Sequence, residues 1–417
     1  MTSTDCEGSP FIRNHRPSNR RVGKAKYFFF GFFLSTLICF AALGLSHIVW
    51  EGYGSTIKPT EICEKMVVGF YRLWHEGELT ETQLSKLTHV IFASFLYSEQ
   101  EKKIIHGNDK EEPVFKAALE ESKRFELIKM FSMRGLNLKM ILNHRRRISE
   151  VITSFIDTHQ LDGVDIEWVS PATPADWENL IKFCEKIREN LNRLAESSGR
   201  TRPFVISLQC PHSKPVGDFE RLLKSVDFLN LDVTHYYEPW YRTEWNHLTG
   251  PASPLYSGHK MIGNVDDTLR HYSCLTKKPS RLVMMLAFSG RYWNKVIPPK
   301  EPKDTLWMVA EKINGTVEGS FLPWREMKRR WSVSRASWND ESKTPYIWDS
   351  KTRTQYHFEN ERSLREKVKY AIEKNIGGVG VWSTSEDDEE DTLLNVLAKG
   401  GLCPRKYDVS VKYNCTE

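Results

Sequence analysis

Short apolar runs recur along most of this chain, and helical segments separate them. Eight such runs lie between residues 65 and 382, and most of them lack the polar and apolar alternation of a half-exposed strand. Runs of this kind are typical of parallel strands that are covered on both faces. The pattern therefore predicts a closed (β/α)8 barrel, with an open doubly wound sheet as the alternative. The predicted strands are 65–71, 88–95, 138–143, the stretch 161–171, 202–210, 227–237, 281–288 and 377–382.

Local sequence signals predict helices between these runs. They also predict a small subdomain inserted within the series of strands and helices. Thr173, followed by Pro174 and Asp176, predicts a helix start, because Thr caps a helix, Pro fits its first turn and an acid favours its positive end. A helix is also predicted over residues 114–133, ahead of the third strand. Residues 291–357 are rich in Trp and Tyr and predict a small α+β insertion before the last βα unit.

The N-terminal region differs in composition from the rest of the chain. Residues 27–50 contain no Asp, Glu, Lys or Arg and are long enough to span a bilayer as a helix. Because the basic residues of this region all precede that segment, we expect a single-pass type II membrane protein with a cytoplasmic N-terminus and a lumenal or extracellular body. A cleaved signal peptide is the alternative. The predicted divisions are a basic tail at 1–26, a signal anchor at 27–50, a stem at 51–64, a barrel at 65–402 and a tail at 403–417.

The net charge of +5 comes mostly from this N-terminal region. Six basic and two acidic residues give residues 1–50 a charge of +4, which leaves +1 for the rest of the chain. The body therefore shows no evident footprint for a polyanion, and no nucleic-acid partner is predicted. No GxGxxG or GxxxxGK sequence follows a predicted strand, and no Cys or His group has metal-ligand spacing. Neither a cofactor nor a metal is predicted.

Six cysteines follow the predicted anchor, which places them in an oxidising compartment. Six cysteines permit 15 disulfide connectivities, so the sequence leaves the pairing open. Asn314 and Asn414 each begin an Asn-X-Thr triplet and are predicted glycosylation acceptors in that compartment. The six cysteines are Cys63, Cys184, Cys210, Cys274, Cys403 and Cys415.

The stretch LDGVDIEWVSP, residues 161–171, combines acids with apolar residues in one predicted strand. Strand alternation places Asp165, Glu167 and Val169 on one face. Carboxylates on a buried strand are costly unless they are paired or hydrogen-bonded, so the pattern indicates a catalytic or binding site. A solvated strand end is the alternative.

Aromatic and polar residues collect where the predicted strands end. In a barrel these ends meet at one mouth. Rings that stack on sugar faces and polar groups that bond to hydroxyls together predict a sugar-binding groove, although each aromatic residue taken alone is more simply explained as core filling. The strand ends carry Tyr71, Trp74, Phe95, Asn143, His144, Gln209, His235, Tyr236, Tyr237, Arg291 and Trp382.

Six segments carry a likeness to a known family. In chain order they are VVGFYRLW, LTHVIFASF, LDGVDIEW, SVDFLNLDVTHYYEPW, SGRYW and GGVGVWS. Together they resemble the chitinase and chitinase-like proteins of glycoside hydrolase family 18, over roughly residues 65–400. With the predicted anchor, the chain is most similar to the membrane-anchored chitinase-like proteins of nematodes. The resemblance implies a TIM barrel that carries the family's small α+β insertion.

The resemblance also implies the family's active-site pattern, DGxDxDxE, at the fourth strand. Asp162, Gly163 and Asp165 match that pattern. Glu167 stands where the family has its third Asp, and Val169 stands where it has the Glu that protonates the glycosidic oxygen. Valine has no proton to donate, so no catalytic residue is predicted. Glu167 lies two residues back, ~6.6 Å along a strand, and is predicted not to reach the scissile bond.

Other positions of the family pattern divide into lost and retained ones. The third-strand SxGG is expected at residues 143–146, where this chain has Asn-His-Arg-Arg, and the sixth-strand MxYD at residues 232–235, where it has Asp-Val-Thr-His. The groups that orient the substrate's acetamide are therefore expected to be absent. Tyr71, Arg291 and Trp382 match retained positions. The predicted substrate-binding residues are Tyr71, Asp165, Glu167, Tyr236, Arg291 and Trp382.

These features favour a catalytically deficient chitinase-like protein that binds chitin or a related N-acetylglucosamine-containing glycan without hydrolysing it. A residually active hydrolase with a relocated acid is one alternative, and it would use Glu238 or Glu386, both near strand ends. A lumenal glycosyltransferase is another, since it would share the anchor and stem and would use Asp165 and Glu167 as a metal-binding pair. A protein-interaction scaffold, which would not use the sugar groove, is the third.

Overall fold

The computed structural model describes residues 65–74, 78–240, 245–256, 262–299, 305–399, 402, 413 and 415. The predicted basic tail, anchor and stem at 1–64 lie outside the described residues, as do Asn414 and most of the predicted C-terminal tail. None of the helices in the described ranges is both long enough and apolar enough to cross a membrane.

Eight parallel strands form a closed barrel, which confirms the predicted barrel and excludes the open sheet. The barrel strands are β1 (Met66–Arg72), β2 (His89–Ser98), β4 (Ile128–Arg134), β5 (Gly163–Ile166), β6 (Val205–Pro211), β7 (Phe228–Asp232), β8 (Leu282–Ala287) and β18 (Gly378–Trp382). Their order is β1, β18, β8, β7, β6, β5, β4, β2, and β1 also pairs with β2 to close the ring. A short strand, β3 (Lys103–Ile105), pairs antiparallel with the end of β2.

Helices follow the barrel strands and cover their outer faces. Thr173 caps α4 as predicted, because its side chain accepts the N–H of Asp176 and the Asp176 carboxylate accepts the N–H of Thr173. The helices are α1 (Glu81–Leu84), α2 (Glu111–Ser122), α3 (Leu138–His159), α4 (Pro174–Ser198), α5 (Phe219–Leu222), α6 (Val265–Thr276), α7 (Trp324–Arg330), α8 (Glu361–Glu373) and α9 (Thr392–Lys399).

The third barrel strand differs from the prediction. It is β4, so the helix predicted over residues 114–133 ends at Ser122. The predicted strand 138–143 is instead the start of α3, where the Asn137 side chain accepts the N–H of Met140 at 2.9 Å and caps the helix. Ile141, Ile148 and other apolar residues of this segment are buried at helical spacing, which a short apolar run does not reveal by itself.

A mostly antiparallel subdomain lies between β8 and α8, and α7 lies within it. Its largest sheet has five strands in the order β14, β9, β17, β16, β15. Its strands are β9 (Ser289–Trp293), β10 (Val296–Ile297), β11 (Val309–Ala310), β12 (Lys312–Ile313), β13 (Thr316–Val317), β14 (Gly319–Pro323), β15 (Ser337–Asn339), β16 (Thr344–Asp349) and β17 (Thr354–His357).

The barrel interior has an apolar floor and a polar layer above it. Met130 on β4 and Phe228 on β7 are buried in the floor. Two residues further along the same strands, and therefore on the same face, stand Ser132 and Asn230, which are also buried. Asp165 lies opposite Ser132 in the register between β4 and β5. The polar layer is thus one step closer to the mouth than the floor.

One disulfide joins α6 to the end of the chain. Cys274 is bonded to Cys415, 141 residues later. Cys184 and Cys210 are buried and free, and burial raises the pKa of the Cys184 thiol to about 12, which keeps it protonated and unreactive. Cys63 and Cys403 lie outside the described residues.

We expect the Cys274–Cys415 bond to stabilise the fold, because it restricts a long loop in the unfolded chain. The double variant Cys274→Ala/Cys415→Ala should lose about 2–4 kcal/mol of unfolding free energy in denaturant titrations. Reductant should lower the midpoint of the wild type by more than that of the double variant, which keeps Cys63 and Cys403. Cys184→Ala, a change to a free thiol, serves as the control for reductant sensitivity, and a wild-type midpoint that ignores reductant would contradict the expectation.

Candidate functional site

The Asp165 carboxylate lies inside the barrel with no exposed surface and accepts four hydrogen bonds. The donors to Oδ2 are Ser132 Oγ at 2.9 Å and Gln209 Nε2 at 2.6 Å. Those to Oδ1 are Ser207 Oγ at 2.6 Å and Asn230 Nδ2 at 2.9 Å. Each oxygen therefore accepts two bonds, and the carboxylate links β5 to β4, β6 and β7.

None of these four donors carries a charge, so Asp165 is a buried acid held by dipoles alone. Burial raises the pKa of the Asp165 carboxyl, and the hydrogen bonds from Ser207, Gln209, Ser132 and Asn230 oppose that rise without cancelling it. With both oxygens saturated, the carboxylate is fixed in place and has no lone pair left for a ligand.

Asp162 belongs to a different part of the barrel. Its Oδ2 accepts the backbone N–H of Lys129 at 2.8 Å, and its Oδ1 accepts Arg200 Nη2 at 2.6 Å. These contacts join the starts of β4 and β5 at the end of the barrel opposite the mouth. Gly163 follows, and a Cβ there would lie 2.0 Å from the carbonyl oxygen of Val205, so only glycine fits this close pairing with β6.

The predicted stack of Asp165, Glu167 and Val169 on one strand face holds only at its first member, because β5 ends at Ile166. The Glu167 carboxylate accepts the backbone N–H of Gly135 at 3.0 Å, at the end of β4. Val169 is 7% exposed and packs in the main hydrophobic core. The structure therefore brings these three side chains to three different environments.

Because the third barrel strand is β4, the SxGG motif expected on that strand falls at the end of β4 and not at residues 143–146. The end of β4 reads Ser132-Met133-Arg134-Gly135, which keeps the first Ser and the last Gly of that motif. The predicted replacement at residues 143–146 is wrong, since those residues lie in α3. Ser132 is therefore retained, and it is one of the four donors to Asp165.

Two tryptophans form an aromatic surface at the mouth. Trp382 ends β18, and its ring lies 6.4 Å from that of Trp74 and 5.5 Å from that of Phe70. Trp74 is 42% exposed, and the Arg134 guanidinium carbon lies 5.5 Å from its ring centre. We call Trp74 and Trp382 the aromatic platform. Tyr71, which is buried, joins Trp74 in the wall of a neighbouring cavity of about 1020 Å³.

A cluster of charged side chains follows β7. Arg291 Nη2 lies 3.5 Å from Glu238 Oε1, and the His235 ring contacts both Glu238 and Asp232. Burial lowers the pKa of His235, but Asp232 and Glu238 raise it by more, so the net pKa is raised and the protonated ring is favoured. Arg291 also donates to the carbonyl of Thr234 at 3.3 Å. Of these four side chains, Arg291 and Glu238 are buried and Asp232 and His235 are half-buried.

Two further predicted residues, Tyr236 and Glu386, are each bonded to a partner within the fold. The Tyr236 hydroxyl lies 2.8 Å from the carbonyl of Asn264 and 2.7 Å from Thr268 Oγ1, so it binds the start of α6. It lines a second cavity, of about 530 Å³, with His235. Glu386 is buried, and its Oε1 lies 2.9 Å from Arg72 Nη2.

Sequence reasoning missed three members of the Asp165 network. Ser132, Ser207 and Asn230 are each buried on a strand, directly between buried apolar neighbours. A single polar residue inside a buried strand is the signal that would have identified them, because such a residue needs a partner. Within the described residues, no three His, Cys, Asp or Glu side chains group in a way that could hold a metal ion.

Comparison with known proteins identifies the family. Residues 66–387 match the family described as glycosyl hydrolases family 18, which is more than half of the chain. The chain therefore belongs to glycoside hydrolase family 18. The curated relative "Probable chitinase 2" from Drosophila melanogaster is 26% identical over 264 residues, which is 58% of this chain and 51% of that protein. The chain thus spans about half the length of that relative.

Solved structures share the fold at low sequence identity. A class V chitinase mutant from Nicotiana tobaccum in complex with NAG4 has a TM-score of 0.68 and 18% identity, over 81% of this chain and 98% of that one. A chitinase-like agglutinin from Robinia pseudoacacia has a TM-score of 0.69 and 16% identity, over 81% and 99%.

We expect Asp165→Ala to destabilise the barrel by about 3 kcal/mol or more, because it leaves four buried donors without an acceptor. Asp165→Asn keeps the volume and one acceptor oxygen and should cost less. The exposed Asp109→Ala is the control and should be neutral within about 0.5 kcal/mol. Denaturant titrations of the four proteins measure these differences.

The difference in stability between the wild type and Asp165→Asn should change with pH in one direction. Since the folded-state pKa of Asp165 is raised, its contribution to stability is fully present below the unfolded pKa and is lost as pH rises through the folded pKa. The wild type should therefore lose stability relative to Asp165→Asn as pH rises from acid toward neutral. A constant difference across that range would refute the raised pKa.

Proposed function

We propose that this chain is a catalytically deficient member of glycoside hydrolase family 18 that binds chitin or a related N-acetylglucosamine-containing glycan without hydrolysing it. The observation that carries the proposal is Val169, which stands at the position of the family's proton donor and packs in the hydrophobic core. A general acid typically contributes 10²–10⁴-fold to the rate, on the order of 3–5 kcal/mol of barrier. A valine contributes none of this.

The acids that remain near the mouth are poor substitutes for the missing donor. Asp165 already accepts four hydrogen bonds. Glu238 and Glu386 are buried and ion-paired, to Arg291 and Arg72 respectively. Each of these carboxylates is already held by a buried guanidinium and is not free to approach a glycosidic oxygen, so a relocated-acid mechanism has little support.

Glu167 is half-buried, and its position also argues against donation. Its carboxylate is held on the backbone N–H of Gly135, at the β4 side of the mouth. The aromatic platform, which would hold the sugar, lies across β1 and β18. A general acid must come within hydrogen-bond reach of the scissile oxygen, about 2.6–3.2 Å.

The surviving surface supports sugar binding. Trp74 and Trp382 present two neighbouring rings at the mouth, and Arg134 lies against one of them. Exposed rings of this kind stack on the apolar faces of pyranoses. Two proteins of the same fold are named for a NAG4 complex and for an agglutinin, which supports glycan recognition on this architecture.

We place this barrel outside the cytosol as part of the same proposal. The support is the uncharged segment at 27–50 with a cluster of six basic residues on its N-terminal side, together with one disulfide in the described fold. Protease protection of the barrel in intact membrane vesicles, with the N-terminal tail digested, is the expected result. Digestion of both parts would contradict this topology.

For turnover, we expect the full chain to release no product from chitooligosaccharides between pH 4 and 8, as measured by chromatography of the reaction. Val169→Glu restores a carboxyl at the donor position and is the variant in which any activity should appear. Val169→Gln is its matched control, since it has the same size without an acid. Turnover by the wild type that disappears in Glu167→Gln would overturn the proposal.

For binding, we expect Trp382→Ala to weaken the affinity for chitohexaose about tenfold, because one stacked sugar is worth roughly 1–2 kcal/mol. Trp338→Ala removes a partly exposed tryptophan of the insertion, far along the chain from the platform, and should leave the affinity unchanged. Calorimetric titration measures both. Equal effects of the two substitutions would show that Trp382 only packs the fold.

A further inference from the structure

A run of basic side chains begins at the barrel mouth and continues along the first half of α3. Residues 127–149 contain six Lys or Arg residues and no Asp or Glu. Five of the six lie at or after the end of β4, and four of those five are exposed, the other being half-buried. We call these five the basic face: Arg134, Lys139, Arg145, Arg146 and Arg147.

Most of this charge is not neutralised within the protein. Arg146 pairs with Glu150 at 3.0 Å, but Arg146 is 85% exposed, so that pair contributes little. The other four cations have no carboxylate within ion-pair distance in the part of the chain that the structure describes. Glu167 brings one negative charge to this edge and does not balance them. The near-neutral total charge of the body conceals this local excess.

The backbone of α3 is non-helical at His144, where two helical segments meet at a kink. Lys139 lies before the kink and Arg145, Arg146 and Arg147 follow it directly, and Lys139, Arg146 and Arg147 are exposed. The cations therefore form an exposed cluster around the kink, which offers several contacts to the units of a polymer. Asn137 caps this helix directly after β4, which puts the first of these cations at the mouth.

The basic face is continuous with the aromatic platform. Arg134 is the last residue of β4, and its guanidinium carbon lies 5.5 Å from the Trp74 ring centre. The Trp74 ring in turn lies 6.4 Å from that of Trp382. A sugar chain that stacks on the platform and leaves it on the β4 side would therefore pass over cations.

We propose that the ligand of this site is an acidic polysaccharide, whose sugar rings stack on the platform and whose sulfate or carboxylate groups contact the basic face. This inference rests on the proposed function, because it uses the same platform. The neighbouring stacking surface favours a polysaccharide over a membrane surface or a nucleic acid. Clustered cations concentrate an anionic chain at the mouth and hold it by several weak contacts at once.

The test compares two oligosaccharides of equal length on the full chain. Chondroitin sulfate hexasaccharide supplies sulfate and carboxylate groups, and chitohexaose supplies none. We expect the sulfated chain to bind at least about tenfold more tightly at low salt, with the advantage falling at high salt as the charges are screened. Equal affinities at low salt would overturn the inference while leaving the proposed function intact.

A charge-matched pair of variants locates the effect. Lys139→Gln/Arg147→Gln removes two exposed cations of the basic face and should weaken binding of the sulfated chain about tenfold, without changing that of chitohexaose. Lys224→Gln/Lys278→Gln makes the same charge change just ahead of β7 and β8, at the opposite end of the barrel, and should change neither. An equal loss in both variants would refute the basic face as the contact.

Two further probes separate a glycan from other anions. Polyphosphate carries charge without rings, and vesicles of anionic lipid present a surface. If either binds as tightly as the sulfated hexasaccharide, or if Trp382→Ala leaves binding of that hexasaccharide unchanged, the proposed ligand class is overturned. If neither oligosaccharide binds the wild type, the proposed function itself fails, which is a distinct result.

Discussion

The Asp165 carboxylate and its four neutral donors are the interaction on which the barrel mouth depends. A carboxylate in an apolar interior is costly, and only saturation by hydrogen bonds makes it tolerable. Because the donors come from β4, β6 and β7, satisfying this one group fixes the relative positions of four adjacent strands. The same saturation leaves neither oxygen free for a further hydrogen bond to a ligand, so the geometry gives Asp165 a structural role.

At the rim of the mouth, buried side chains that carry full charges are likewise compensated by a partner. Arg72 with Glu386 and Arg291 with Glu238 are buried ion pairs on two sides of the opening. Removing one partner of such a pair leaves a buried charge uncompensated, which typically costs about 3–5 kcal/mol. Both glutamates are therefore needed at these positions to keep the fold stable. The mouth keeps a highly polar character although the proton donor expected at residue 169 is absent, and polarity alone is no sign of catalysis.

The parts of this structure that the sequence predicts are those governed by local rules. Repeated apolar runs predict the barrel, and Thr173 with Asp176 predicts the start of α4. The third strand was misplaced because a short apolar run at 138–143 fits a strand or a buried helix face equally well, and only the cap at Asn137 and the later isoleucines distinguish them. The Glu167 contact with Gly135 and the bond between Cys274 and Cys415 depend on chain segments that are brought together only by the closed fold. No local pattern specifies such contacts.

The proposed loss of the proton donor would change what binding energy at this mouth can do. In an enzyme, interactions that are stronger in the transition state than in the ground state increase the rate, whereas uniform binding only increases affinity. In the proposed function, stacking on Trp74 and Trp382 and attraction to the basic face would act on the ground state of the ligand alone. Tight binding then has no cost in turnover, so an extended charged surface beside the platform is compatible with function here, whereas in a hydrolase it would retain the product. In the proposed function, the basic face and the absent acid both suit a protein that holds a glycan.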